Sequence, residues 1–176
     1  MMPNLRAALR RLIGSLLAAF AVAACNGTEA GDMGRRVEQP VAFNHQLHIV
    51  ELEMDCTECH RYVTTNRKAT LPTAEVCADC HSEPQGESAE EEKLVSLISS
   101  EEGLNWQRIY VLPKHVYFSH FRHVTLGQMG CPECHGSMSE LSRPPSQPAV
   151  NILDMDYCVD CHEDQLVSND CLACHI

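Results

Sequence analysis

Ten of the eleven cysteines fall into five pairs, each pair spaced by two residues and followed at once by a histidine. They are Cys56-Thr-Glu-Cys59-His60, Cys77-Ala-Asp-Cys80-His81, Cys131-Pro-Glu-Cys134-His135, Cys158-Val-Asp-Cys161-His162 and Cys171-Leu-Ala-Cys174-His175. No other property of the 176 residues limits the fold so sharply. Two intervening residues let one turn of chain carry both thiols to the vinyl groups of a porphyrin, where they form thioethers. The adjacent histidine then lies beneath the iron as its proximal ligand. The expectation is five covalently bound haem c groups, with His60, His81, His135, His162 and His175 as proximal ligands. Zinc is the competing reading, since a C-x-x-C pair is often half of a Cys₄ or Cys₂His₂ site. Zinc does not require histidine directly after the second cysteine, yet all five pairs have it. A thioredoxin-like redox motif needs a βαβ pattern that is missing here.

The histidine count agrees. Ten histidines less the five in the motifs leaves His45, His48, His115, His120 and His123, one for each vacant distal position. Four of these sit in an internal repeat. Val41-Ala-Phe43-Asn-His45-Gln-Leu-His48 aligns with Val116-Tyr-Phe118-Ser-His120-Phe-Arg-His123, both reading V-x-F-[NS]-H-x-x-H. The distance from the second histidine to the next cysteine is the same in each copy, and a second motif then follows. The chain thus reads as a duplicated dihaem unit with a fifth haem appended. Histidines three apart lie on neighbouring faces of a helical turn and can reach different irons. The expected pairs are His45 with His60, His48 with His81, His120 with His135 and His123 with His162. By elimination, His115 serves the haem of His175. Met54, Met129 and Met155 lie near motifs and are read as fillers between haem edges rather than as ligands.

The N-terminus reads as an export signal. Arg6, Arg10 and Arg11 form a basic head, and the apolar run Leu12 to Ala24 is shorter than the roughly 20 residues of a membrane span. Arg10-Arg11 is read as a plain basic head rather than as a twin-arginine signal, because haem c is attached after export. Val22-Ala23-Ala24-Cys25 resembles a bacterial lipobox, and Cys25, the one cysteine outside a pair, is the expected lipidation site. Ordinary secretory cleavage after Ala24 is the alternative, and a retained membrane helix is the third reading. Removing residues 1–24 leaves 10 basic against 24 acidic residues, a formal charge of −14. That charge excludes nucleic-acid binding and steers the protein toward basic patches on partners.

The resulting layout is a lipoprotein signal (1–24), a lipid anchor and flexible tether (25–40), a dihaem unit (41–86), an acidic connector helix (87–104) and a trihaem unit (105–176). In the connector, Ser88-Ala-Glu-Glu91 reads as a capping box, and Leu94, Val95 and Ile98 form an apolar stripe expected to pack the two halves together. Its acidic run reads as a solvated face. The fold class is mainly α and irregular, with short helices and loops wrapped round the five haems. With roughly 30 residues per haem, porphyrin must supply much of the core.

The F-x-H-x-x-H segment ahead of C-x-x-C-H resembles the class III multihaem cytochromes c, which are compact bis-histidine electron carriers. Residues 116–175 are similar to the trihaem members in motif order. Leu71-Pro-Thr-Ala-Glu-Val-Cys77, Trp106, Leu112-Pro113, Val116-Tyr117-Phe118-Ser119-His120 and Met155-Asp-Tyr157-Cys158 resemble the pentahaem subunit of alternative complex III, a membrane quinol oxidoreductase. The resemblance implies partners that are iron–sulfur and quinol-binding membrane subunits, with electrons passing from them through the haems. Two features depart from that family. Tyr110 stands where it has a histidine before Leu-Pro, which makes His115 the candidate fifth distal ligand. A lipidated Cys25 also replaces its membrane helix.

The function expected from the sequence is electron transfer without substrate chemistry, on the periplasmic side of a bacterial membrane. Bis-histidine ligation fills both axial positions and, lacking a methionine ligand, keeps potentials low. A free-standing shuttle or extracellular conduit is the second reading. A small multihaem reductase, which would need an open iron and a basic cleft, is the third.

Overall fold

A computed structural model describes residues 36–175. The expected signal, Cys25 and most of the 25–40 tether lie outside the described residues. Within them no helix is long and apolar enough to cross a membrane. The architecture is short helices joined by irregular chain. The only β pairing among the described residues is an isolated antiparallel bridge between Val116 and His175.

Each haem motif sits at a helix. Cys56–Cys59, Cys131–His135 and Cys171–Cys174 are single turns, Ala74–Ala78 ends inside the second motif, and Met155–Asp164 contains the whole fourth motif. Turns this short need their ends satisfied from nearby. Glu58 and Glu133, between the cysteines of their motifs, accept the backbone N–H of Asp55 at 2.9 Å and of Gly130 at 2.7 Å. Asp154 and Asp170 instead accept from Asp156 at 3.2 Å and Leu172 at 2.8 Å. In four of the five motifs an acidic residue between or before the cysteines therefore caps the helix. After His135 the chain turns at Gly136, whose φ of +72° suits glycine and where an added Cβ would lie 3.0 Å from that of Ala149.

The V-x-F-[NS]-H-x-x-H segments each lead into a π-helical turn, Leu47–Glu51 and Phe121–Leu126. π-Turns concentrate at functional sites because the wider loop re-aims side chains. The two segments share their closing bonds. Leu52 N–H donates to Leu47 O at 3.1 Å, and Gly127 N–H to Arg122 O at 2.8 Å. Met54 N–H donates to His48 O at 3.0 Å, and Met129 N–H to His123 O at 3.1 Å. Glu53 and Gln128, between those donors, both adopt positive φ, 54° and 55°.

The two halves are joined reciprocally. Gln46 N–H, next to His45, donates to Leu141 O at 3.0 Å, while Phe121 N–H, next to His120, donates to Asn66 O at 3.2 Å. Leu141 follows the third motif as Asn66 follows the first, so each half lends a carbonyl to the other's histidine turn.

The acidic helix runs Ala89–Ile98 and buries Leu94. Among the helices, its principal packing partner is Ala74–Ala78 of the first half. Its acidic residues are not merely solvated. Glu90 accepts the N–H of Ala42 at 2.7 Å, and Glu91 is held by three donors. Ser88 makes no side-chain cap.

Val41, Val63 and Leu94 are the buried apolar residues among those described. At about 1.5–3 kcal/mol each, they offset little of the ordering entropy of such a chain. Stability has to come from whatever the histidines and cysteines surround.

Candidate functional site

The histidines come together in twos. Ring centroids lie 6.2 Å apart for His48 and His81, 6.4 Å for His120 and His135, 6.0 Å for His123 and His162, and 5.6 Å for His115 and His175. Two imidazoles bound to opposite sides of one metal, with bonds of about 2 Å, would place their centroids roughly 6 Å apart. Among the described residues, no three His, Cys, Asp or Glu side chains converge as a zinc site requires. His45 has His60 as its first electrostatic neighbour and His48 as its second. Burial above all, then these two rings, lowers its pKa to about 4, which leaves it neutral with a lone pair to offer.

The repeated Phe-[Asn/Ser] positions explain how these rings are aimed. Phe43 stacks on His48 at 4.4 Å and meets His45 edge-on at 4.8 Å. Phe118 does the same to His123 at 4.5 Å and His120 at 4.9 Å. His48 Nδ1–H donates to Asn44 O, and His123 Nδ1–H to Ser119 O, each at 2.8 Å. A proton fixed on Nδ1 leaves Nε2 free for a metal, the usual arrangement behind a ligating histidine. Proximal rings are oriented likewise: His60 donates to Thr70 O at 3.0 Å and His162 to Ser168 O at 2.7 Å. His81 differs, donating to the Glu91 carboxylate at 2.8 Å. His120 Nδ1 lies 3.3 Å from Arg67 O and 3.2 Å from the Ala69 amide, whereas His45 Nδ1 is buried without a partner.

His115 is carried to His175 by the chain around it. Tyr117 N–H donates to Cys174 O at 2.6 Å, and the Val116–His175 bridge lies alongside. Tyr110 packs edge-on against His135 at 4.8 Å, and its hydroxyl accepts the N–H of Ala149 at 3.2 Å. Tyr110 therefore props a proximal ring. Met155 is largely exposed, while Met54 and Met129 are half-buried and act through their backbone amides.

None of the ten described cysteines is paired in a disulfide. Burial pushes several of them up, with neighbouring thiols adding to it. The added neighbour is Cys131 for Cys56, and Cys59 for Cys77, which reaches about 11. It is Cys161 for Cys134, and Cys174 for Cys158. The first and third motifs therefore meet at their leading cysteines. The first also adjoins the second, the third adjoins the fourth, and the fourth adjoins the fifth.

The donor set fits haem c: thiol pairs with an adjoining histidine, and opposed imidazoles, five of which have an Nδ1 proton tied back. When bound, haem supplies one-electron chemistry at iron, and these residues hold and orient it. Glu91, the two phenylalanines and the carbonyls of Thr70 and Ser168 were not read from the sequence as site residues. Only the phenylalanines carried a signal, through their place in the repeat.

Comparison with known proteins agrees with this chemistry. Residues 21–104 match the class III cytochrome C family, and residues 116–176 match cytochrome c7 and related cytochrome c. The chain is a multihaem cytochrome c carrying class III cytochrome c domains. It is 29% identical to the menaquinone reductase, multiheme cytochrome c subunit, of Nitratidesulfovibrio vulgaris (strain Hildenborough), over 161 aligned positions covering 78% of this chain and 77% of that one.

Proposed function

We propose that this chain binds five haem c groups and serves as the electron-transfer subunit of a quinone-linked membrane oxidoreductase. The observation that carries this reading is the opposed histidine pairs at about 6 Å. His48 and His81, His120 and His135, His123 and His162, and His115 and His175 would each ligate one iron, and His45 and His60 the fifth. With both axial positions filled, no iron offers a place to substrate. The chain is thus a conductor and not itself the catalyst.

The arrangement supports one order of haems. The His45–His48 turn holds those of His60 and His81 side by side, and the His120–His123 turn holds those of His135 and His162. The reciprocal bonds Gln46 to Leu141 and Phe121 to Asn66 bring the first and third motifs together, and the fifth adjoins the fourth. Electrons would run between the haem of His81 at one end and that of His175 at the other, through His60, His135 and His162.

The quinone link rests on the named relative and on the resemblance to alternative complex III. The relative's name makes menaquinone the electron acceptor, opposite in direction to a quinol oxidoreductase. Purification of the native protein from membranes tests the assignment. The expected result is a mass five haem c groups above the processed chain, a lipid on Cys25, and co-purifying iron–sulfur and quinone-binding subunits at the periplasmic face. Isolation as a lone protein would favour the shuttle or conduit instead. Carbon monoxide added to the reduced protein should leave its spectrum unchanged; a shift in part of the haem would expose an open iron and revive the reductase reading.

A further inference from the structure

The acidic helix delivers one carboxylate to a haem ligand. Glu91 Oε1 accepts the Nδ1–H of His81 at 2.8 Å and the N–H of Gln85 at 2.8 Å, and Oε2 accepts the N–H of Gly86 at 2.9 Å. The His81 and Glu91 side chains are only 21% and 13% exposed, so water screens the pair weakly. Among the described residues no other motif histidine donates to a carboxylate; His60 and His162 donate to neutral backbone carbonyls. The closest internal comparison is His162, the second motif histidine of its own half. The three donors fix the carboxylate against the ring, and a Cβ at Gly86 would press on its oxygen at 3.3 Å.

We propose that Glu91 sets the potential of the haem of His81, holding it below that of the haem of His162. A carboxylate drawing on the Nδ1 proton gives the imidazole partial imidazolate character and makes Nε2 a stronger donor to iron. A stronger donor favours ferric over ferrous iron. The added negative charge, close by and in a poorly solvated place, opposes the incoming electron in the same direction. Reduction remains a one-electron step at iron, with the electron supplied by a one-electron redox protein partner, and Glu91 neither gains nor loses a covalent bond. Glu91 is accordingly a positioning and tuning residue. In the proposed haem order the tuned haem is terminal, so an electron that a redox partner places on it runs downhill toward the haem of His162. The inference rests on His81 being an iron ligand.

The test is an EPR-monitored redox titration of the full-length holoprotein. His48→Met identifies the haem of His81 by the change in its g values and midpoint. Glu91→Gln, which keeps the shape and the oxygen acceptor but removes the charge, should raise that component's midpoint and leave the other four in place. Glu92→Gln, one residue along and exposed, should move none of them. Haem content equal to wild type shows that the variants fold. If Glu91→Gln leaves the His81 component unmoved, or if Glu92→Gln moves it as far, the proposal falls while the ligation scheme stands. If His48→Met alters no component, the ligation scheme fails and the proposal falls with it.

Discussion

The two histidine turns, at 45–51 and 120–126, are nearly superposable in their bonding, while the surroundings of the proximal histidines are not. Both turns place a phenylalanine between two imidazoles, tie one Nδ1 to the carbonyl four residues back, and exit through a residue of positive φ. Beyond the turns, His81 meets a carboxylate and His162 a carbonyl. Within the turns one position also differs: His120 Nδ1 lies against Arg67 O and the Ala69 amide, whereas that of His45 has no partner. Positions that aim ligands are duplicated, and positions that tune them have diverged.

Exchanging the distal ligands strains this comparison most. His48→Met should raise the midpoint of the His81 haem and leave that of His60 low-spin and unshifted, because methionine ligation raises potential. His123→Met should do the same to the haem of His162, sparing His135. Visible and EPR titration would read both, and a change at His60 in the first variant would break the wiring.

The next effect is on stability. Phe43→Ala and Phe118→Ala each remove a ring that packs on two imidazoles. Each should lower unfolding free energy by about 1–3 kcal/mol, part of it the 0.5–1.5 kcal/mol typical of an aromatic pair. Denaturant midpoints followed in the haem absorption should fall similarly for the two; a large disparity would show that the turns are not equivalent supports.

The smallest effect is at the motif helices. Glu58→Ala and Glu133→Ala each lose one capping acceptor, worth about 0.5–1 kcal/mol. Cys56–Cys59 and Cys131–His135 should respond alike, seen as matched small losses in thermal midpoint.

Much of this was readable from sequence because covalent chemistry fixed it. C-x-x-C-H declares its own partner, and the duplicated V-x-F-[NS]-H-x-x-H declares which histidines belong together. The short helices followed from the close spacing of the five C-x-x-C-H motifs, which leaves roughly 30 residues to each. What escaped was whatever depended on distant chain. Glu91 stands in a run of glutamates, and only the packing of Ala89–Ile98 on Ala74–Ala78 turns it inward to His81. The same packing sets the acidic helix against the first half. Thr70 and Ser168 contribute backbone oxygens, on which side-chain identity is silent. Tyr110 was noted as a departure, but its role as a prop for His135 needed the return of the chain through Ala149.

The reciprocal pair of bonds between the halves joins main-chain groups alone. One bond runs from Gln46 to Leu141 and its twin from Phe121 to Asn66, so matched positions hold glutamine and phenylalanine on one side, leucine and asparagine on the other. Peptide groups are common to every residue, so neither side chain is asked to conserve the contact. Mutational drift at these four sites has little to break there, and the halves have been free to acquire different surfaces and different redox settings while remaining locked to each other.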